Sequence, residues 1–452
     1  MKMTVGEIVG ACEGKLLCGK PETVISAVST DSRKITPGAL FVPIKGEKTD
    51  AHVFITATFA AGAAATLTQE HTMADDTHAW IAVPDTQRAL QQIAAAYRKK
   101  FQIPFIGITG SVGKTSTKEM VALALSAGLN VMKTEGNHNS QVGLPITMFR
   151  LGPEHQAAVV EMGMSDFGEM GRLAQIAQPD YAVMTNIGIS HIQQLKTQEN
   201  ILKEKLHITD CFHETSVLFL NGDDQLLAGL RDQLNCKKVY YGTQSWCDFR
   251  AENIALDSGT TTFSLHTPNG VKQAMLPVIG IHNVLNALAG LAVAQTLGIN
   301  LDSAIGKLKE YRPLAMRQQI HYVNEVTVID DSYNASPDAM KSSIDVLCSF
   351  HDGKQIAVLA DMLELGDYSK QAHYEIGAYA ARAGVDSIIT VGPEAKEIAR
   401  GALSVNPSIR CRMLEGNDEA IGELRSMLTA GDAVLVKGSR GMHTDQIVKA
   451  LL

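Results

Sequence analysis

Ten residues, Gly107-Ile108-Thr109-Gly110-Ser111-Val112-Gly113-Lys114-Thr115-Ser116, constrain this chain more than any others. They follow the apolar run Phe105-Ile106-Gly107-Ile108 and precede a helical pattern whose apolar face carries Met120, Val121, Ala124 and Leu125. Strand, glycine-rich turn and helix in that order make a phosphate-binding loop, because glycines let backbone N–H groups curl around phosphate oxygens and the helix N-terminus adds a positive dipole. In that frame Gly110, Ser111, Val112, Gly113 and Ser116 form the cradle. Lys114 reaches the β- and γ-phosphates, and the Thr115 hydroxyl can ligate Mg²⁺. The spacing departs from G-x-x-x-x-G-K-[ST], since position 108 is Ile and the nearest glycines are Gly107 and Gly110. A glycine turn that only caps a helix is the alternative, and the Lys-Thr pair that follows it directly argues against that.

A loop of this kind needs a largely parallel sheet around it, and the chain supplies one. Strand-like runs at Ala157 to Glu161, Tyr181 to Thr185 and Val217 to Leu220 are separated by helical stretches. An antiparallel appendage follows, Thr261 to Leu265 and Val271 to Leu276 around an Asn269-Gly270 turn signal, then a helix from about His282 to Leu297. Before the loop, Leu40 to Ile44 and Trp80 to Val83 alternate with helical patterns at His52 to Ala61 and Thr86 to Tyr97; after Tyr311-Arg312-Pro313 the alternation restarts at Val326, Ile356, Ser387 and Ala433. The expected fold is therefore α/β with three domains: an N-terminal α/β domain over 1–98, a central P-loop domain with a mostly parallel sheet over 99–314, and a C-terminal Rossmann-like domain over 315–452. A chain of 452 residues, 45% hydrophobic and 19% charged, has the length and apolar content for three cores.

Charge narrows the function. Forty Lys and Arg against 48 Asp and Glu give a net −8, so no overall positive field holds nucleic acid or an anionic membrane, and phosphate binding must be local. Seven scattered cysteines without a C-x-x-C pair read as reduced thiols in the cytoplasm, and no uncharged apolar run is long enough to span a membrane. Hard ligands for a nucleotide's cation belong at the carboxyl ends of the neighbouring strands. Glu161, ending Ala157-Ala158-Val159-Val160, and His191, after Asn186-Ile187-Gly188-Ile189-Ser190, stand there; a solvated strand-end carboxylate and a loop histidine are the bland readings.

Several stretches together carry a resemblance: T-G-S-V-G-K-T-S-T-K-E-M at 109–120, E-G-N-H-N-S-Q-V-G-L-P at 135–145, E-M-G at 161–163, N-I-G-I-S-H at 186–191, G-I-H-N-V-L-N-A-L-A at 280–289 and D-D-S-Y-N-A-S-P at 330–337. With D-M-L-E-L-G at 361–366, they make the chain similar to the Mur ligases through all three expected domains. The resemblance implies ATP-driven addition of D-alanyl-D-alanine to UDP-N-acetylmuramoyl-tripeptide, in which the peptide carboxylate takes the γ-phosphoryl group and the amine then displaces phosphate. It implies one Mg²⁺ on Thr115 and Glu161 and a second on His191 and a carbamylated lysine, and adenine near Asn283 and Asn286. The same resemblance implies that Arg317 stands at the hinge and Asp331 near the ribose. Here Ala315-Met316 precede the arginine where the family's usual form is P-G-R.

For the lysine, the resemblance points to Lys205 in I-L-K-E-K-L-H-I, with Lys203 as the alternative and His207 where the family commonly has an acid; the bare sequence sees two helix-surface lysines. It also implies that Ser29, Thr30, Asp31, Ser32 and Arg33, with Lys45 and Gly46, hold the UDP-peptide, although T-D-S-R by itself reads as a turn or helix cap. Asn334 and Ser336 are its candidates for the dipeptide. A monomer without nucleic-acid partners is expected. The alternatives are another amide ligase of the superfamily, such as a folylpolyglutamate synthetase, a P-loop ATPase switch, or a non-catalytic nucleotide-binding module.

Overall fold

Three larger sheets with helices between their strands organise the chain, beside a two-stranded ladder of Met3–Thr4 with Val24–Ile25; the computed structural model describes residues 1–46, 48–69, 77–257 and 259–452. The first sheet has five strands in the order Lys15–Cys18, Ala79–Ala82, Ala65–Thr68, Ala39–Phe41, Ala27–Ser29, parallel except at the first pair. Its three innermost strands are short runs of small and apolar side chains, and Phe41, Ile55, Phe59, Ala63 and Trp80 pack on one face.

The central sheet has nine strands, in the order Gly270–Leu276, Thr260–Thr267, Phe249–Asp257, Lys237–Gly242, Val217–Asn221, Tyr181–Met184, Phe105–Thr109, Ala157–Glu161, Val131–Lys133. Phe105–Thr109 and Ala157–Glu161 pair in parallel and are buried throughout, as continuous apolar runs between two layers of helices require. The appendage is antiparallel, as expected, with two differences. Strand Phe249–Asp257 gives no clean alternation in the sequence, because it carries an irregularity between Glu252 and Ala255 with Asn253 at φ 52°. The hairpin turn is Pro268-Asn269, since Thr267 pairs with Gly270; Gly270 (φ 121°) already belongs to the strand.

The third sheet runs Gln319–Val323, Val326–Asp330, Ala433–Lys437, Gln355–Ala360, Ser387–Val391, Arg410–Leu414, parallel apart from its first hairpin, with one apolar cluster on each face. By packing, the chain divides into two compact units. One comprises Met1–Thr109, Gly128–Val183 and Glu204–Leu218; the other comprises Gly110–Ala127, Met184–Lys203 and Phe219–Leu452. Among the described residues, no helix is long and apolar enough to cross a membrane.

Candidate active site

Residues 110–116 of the phosphate loop lie in the second unit and open the helix Lys114–Leu125, whose Met120, Val121, Ala124 and Leu125 are fully buried. Two glycines have conformational reasons. Gly113 is the N-cap at φ 83°, and Gly110, at φ 149°, faces Thr185 so closely that a Cβ would lie 1.8 Å from Thr185 Oγ1. The loop is held by the 185–188 segment: Ser111 N–H donates to the Asn186 carbonyl (3.0 Å), Val112 N–H to Asn186 Oδ1 (2.8 Å), and Thr185 Oγ1 to the Val112 carbonyl (2.5 Å). Ser111 Oγ accepts from Gly188 N–H at 2.9 Å. Lys114 Nζ bends over the loop and donates to the Gly110 and Ser111 carbonyls at 2.8 and 3.2 Å. That puts a cation above a preformed ring of amides, the electrostatics an oligophosphate requires. Thr115 is buried, and Ser116 is hydrogen-bonded to Tyr311, whose phenol burial pushes above the ordinary tyrosine range.

Asn286 accepts from Thr117 Oγ1 at 2.7 Å, tying the helix Ile281–Thr296 to the P-loop helix; Asn283 donates to the Ile279 carbonyl at 2.9 Å. The N-cap of that helix is Gly280. Arg317 lies between Met316 (φ 61°) and Gln318 (φ 53°), its guanidinium 4.0 Å from the centre of the Tyr333 ring. Met316 thus takes a left-handed conformation that a glycine would occupy without strain. Asp331 is ion-paired to the buried Lys437 (2.5 Å) and accepts from Ser343 Oγ (2.6 Å) and Gln318 N–H (3.2 Å). Lys437 Nζ also donates to the Asn334 carbonyl at 3.0 Å. Asn334 is exposed, whereas Ser336, the N-cap of helix Pro337–Leu347, is 9% exposed and its Oγ has no hydrogen-bond partner.

His191 is the N-cap residue of Ile192–Leu195 at φ 61°, with Nδ1 2.8 Å from Glu364 Oε2.

Glu161 and Lys205 lie in the first unit. The solvated reading of Glu161 is wrong: the side chain is 2% exposed, Asn139 Nδ2 donates to Oε1 at 2.6 Å, and Oε2 is buried without a partner. A buried carboxylate oxygen lacking a donor suits a divalent cation. Asn139, in E-G-N-H-N-S, was visible in the sequence but had no role there. The surface reading of Lys205 is also wrong: it is 2% exposed in helix Gln198–Leu206, whereas Lys203 is exposed. The adjacent Glu204 is buried too and accepts from Gly168 and Met170 N–H, both at 2.9 Å, at the start of Glu169–Ala177.

The N-terminal candidates make the cap that T-D-S-R suggests. Asp31 caps a 3₁₀ turn, accepting from Arg33 N–H (3.0 Å), Nε and Nη2 (both 2.9 Å), and the Arg33 guanidinium brings its pKa down to about 2. Ser29 Oγ donates to the Asp31 carbonyl at 2.9 Å, and Thr30 and Ser32 are half-buried. Lys45 bridges to Asp50, and Gly46 N–H donates to the Thr49 carbonyl at 3.0 Å.

Comparison with known proteins adds independent findings. The Mur ligase family catalytic domain matches residues 24–98, the Mur ligase middle domain 108–294, and the Mur ligase glutamate ligase domain 316–440. The UDP-N-acetylmuramoyl-tripeptide–D-alanyl-D-alanine ligase of Bacillus subtilis (strain 168) is 37% identical over 100% of this chain and 99% of its own length. That of Escherichia coli (strain K12) is 32% identical over 100% and 98%. A crystal structure of MurF from Acinetobacter baumannii superposes with TM-score 0.93 at 30% identity, covering 100% of this chain and 99% of that one. MurF ligase from Thermotoga maritima in complex with ADP gives 0.84 at 28% identity, covering 94% and 96%. Folylpolyglutamate synthase of Mycobacterium tuberculosis shares the fold, with TM-score 0.62 at 17% identity over 80% of this chain and 94% of that one.

Proposed function

This chain belongs to the Mur ligase family, and from that premise we propose that it is the ATP-dependent ligase joining D-alanyl-D-alanine to UDP-N-acetylmuramoyl-tripeptide, a step of peptidoglycan precursor synthesis in the cytoplasm. The observation that carries this reading is 37% identity along the whole chain to a ligase of that name, with the phosphate loop intact. In our reading residues 1–98 hold the UDP-peptide, 99–314 the nucleotide, and 315–452 the dipeptide, in a monomer.

A carboxylate acylates an amine only after it carries a leaving group, and the carboxylate and ATP are both anions. The loop amides 110–116 and Lys114 hold the β- and γ-phosphates and neutralise charge as the γ-phosphoryl group moves to the carboxylate. Two Mg²⁺ ions would supply further charge neutralisation between phosphate and carboxylate. Thr115 and Glu161 would hold one, which the partnerless Glu161 Oε2 supports; His191 and Lys205, carbamylated, would hold the other. Lys205 is buried in its helix, which sets it apart from the exposed Lys203 as the candidate. Asn283 and Asn286 would face adenine, Asp331 the ribose, and Arg317 the hinge. Ser29 to Arg33, Lys45 and Gly46 would hold the UDP-peptide. The buried, partnerless Ser336 hydroxyl at a helix N-terminus suits the dipeptide carboxylate, with Asn334 beside it.

ADP release tests the proposal. A ligase releases ADP only when the UDP-tripeptide and the dipeptide are both present. Release without either, or on addition of a macromolecule alone, would replace the ligase with an ATPase switch.

A further inference from the structure

Two carboxylates approach the 186–188 segment that braces the phosphate loop, and they are used differently. Asp224, the N-cap of Gln225–Ala228, accepts from Leu227 N–H at Oδ1 (2.9 Å) and from Ile187 N–H at Oδ2 (2.8 Å), so both its oxygens are committed to backbone. Asp338 belongs to the C-terminal part of the chain, as the second residue of helix Pro337–Leu347. A Cβ added at Gly188 would fall on Asp338 Oδ2 and lie 3.4 Å from Ser111 Cβ. The carboxylate therefore rests where Gly188 meets Ser111 of the loop, and all three residues lie in the second compact unit.

An aspartate at a helix start ordinarily accepts from a backbone amide, as Asp31, Asp85 and Asp224 do in this chain. Asp338 does not. Among the described residues its carboxylate accepts no hydrogen bond, and no lysine, arginine or histidine stands within ion-pair distance of it. The side chain is half-buried, and burial pushes its pKa up against the pull of Lys341 one turn along, with Asp224 adding to the rise. A carboxylate withdrawn from water without a donor costs free energy that a cationic partner offsets. One residue before the helix, the Ser336 hydroxyl is buried and also partnerless. Two polar groups of opposite preference, one for a cation and one for an acceptor or anion, thus stand two residues apart and without protein partners.

We propose that Asp338 receives the ammonium group of the dipeptide and holds its nitrogen beside the phosphate loop, where the acyl phosphate forms. A zwitterionic dipeptide needs a partner at each end. Ser336 and the helix N-terminus suit its carboxylate, and Asp338 suits its amine. The placement against Gly188 and Ser111 gives the amine end a reason to be there, since the nucleophile has to reach a carbonyl that has just taken phosphate from the loop. The chemical class that Asp338 selects is a primary ammonium. This deepens the reading of the chain as a D-alanyl-D-alanine ligase and rests on it.

The test is calorimetric titration of D-alanyl-D-alanine, and of D-lactyl-D-alanine in which a hydroxyl replaces the amine, into the full chain saturated with UDP-N-acetylmuramoyl-tripeptide and a non-hydrolysable ATP analogue. Wild type should prefer the amine roughly 10- to 100-fold. Asp338→Asn, nearly isosteric and uncharged, should bind D-alanyl-D-alanine weaker by about that factor and treat the two ligands alike, while KM for ATP and for the UDP-tripeptide holds. Asp338→Glu, which keeps the charge, should keep the preference. Wild-type discrimination in Asp338→Asn, in a chain that makes pentapeptide, would overturn the role of Asp338 and leave the ligase reading standing. A rise in KM for ATP as large as the loss of dipeptide affinity would place Asp338 in the support of the loop and overturn the proposal as well. A wild-type chain that releases no ADP with both substrates present would remove the ligase reading and this proposal with it. If Asp338→Asn does not fold, wild type and Asp338→Glu decide: a wild type that binds both ligands equally, or a Glu variant that has lost the preference, overturns the assignment.

Discussion

Replacing Gly110 by alanine tests whether the phosphate loop is as tightly built as its geometry indicates. The new Cβ would lie 1.8 Å from Thr185 Oγ1, 3.0 Å from Thr185 Cβ and 3.1 Å from the Thr185 backbone nitrogen. Swinging the hydroxyl aside relieves only the first contact and breaks its 2.5 Å hydrogen bond to the Val112 carbonyl. That bond contributes about 1 kcal/mol, overpacking against backbone about 1 to 3, and alanine at φ 149° about 1 more, so Gly110→Ala should lose about 3 to 5 kcal/mol. If the chain instead shifts the loop by an ångström, the loss should appear in catalysis as a factor on the order of 10². Urea unfolding and ADP binding by calorimetry separate the two routes. Thr185→Ala in the same chain should return part of the loss, with a coupling of about 1 to 2 kcal/mol, because Cβ and the backbone remain in the way. A Gly110→Ala protein with wild-type unfolding and wild-type ADP affinity would refute the reasoning.

Three further outcomes follow from the site. Lys114→Ala should keep the fold and lower kcat on the order of 10²-fold or more, checked by ADP release beside circular dichroism. Lys205→Ala should be nearly inactive and partly restored by small carboxylates, while Lys203→Ala, at an exposed position, stays close to wild type; equal rates for the two alanine variants would sink the carbamate assignment. Lys437→Ala strands the Asp331 carboxylate, so it should cost about 3 to 5 kcal/mol in urea unfolding, and a loss under 1 kcal/mol would show that the pair is not coupled.

What could be read from the sequence was what is local. The phosphate loop is contiguous, and its neighbours Phe105–Thr109 and Lys114–Leu125 declare themselves by period and composition. Glu161 was placed at a strand end, but its burial depends on Asn139, which no periodicity links to it. Lys205 was more legible than it first looks: Ile201 and Ile208 are buried and seven residues apart, and Lys205 lies on the stripe they define, four residues after Ile201, while Lys203 does not. The Asp331–Lys437 pair spans 106 residues and joins the ends of adjacent strands, information that appears only once the third sheet is formed. The strand Phe249–Asp257 escaped because its irregularity breaks the alternation that marks a half-buried strand.

The central claim is that this chain makes an amide through an acyl phosphate. The most direct measurement incubates it with ATP, D-alanyl-D-alanine and UDP-N-acetylmuramoyl-tripeptide labelled with ¹⁸O in the reacting carboxylate, followed by mass spectrometry of phosphate and peptide. The account predicts UDP-muramoyl pentapeptide and one ¹⁸O atom in each phosphate released. Pentapeptide that retains all its label, or ADP formed without pentapeptide, would contradict it.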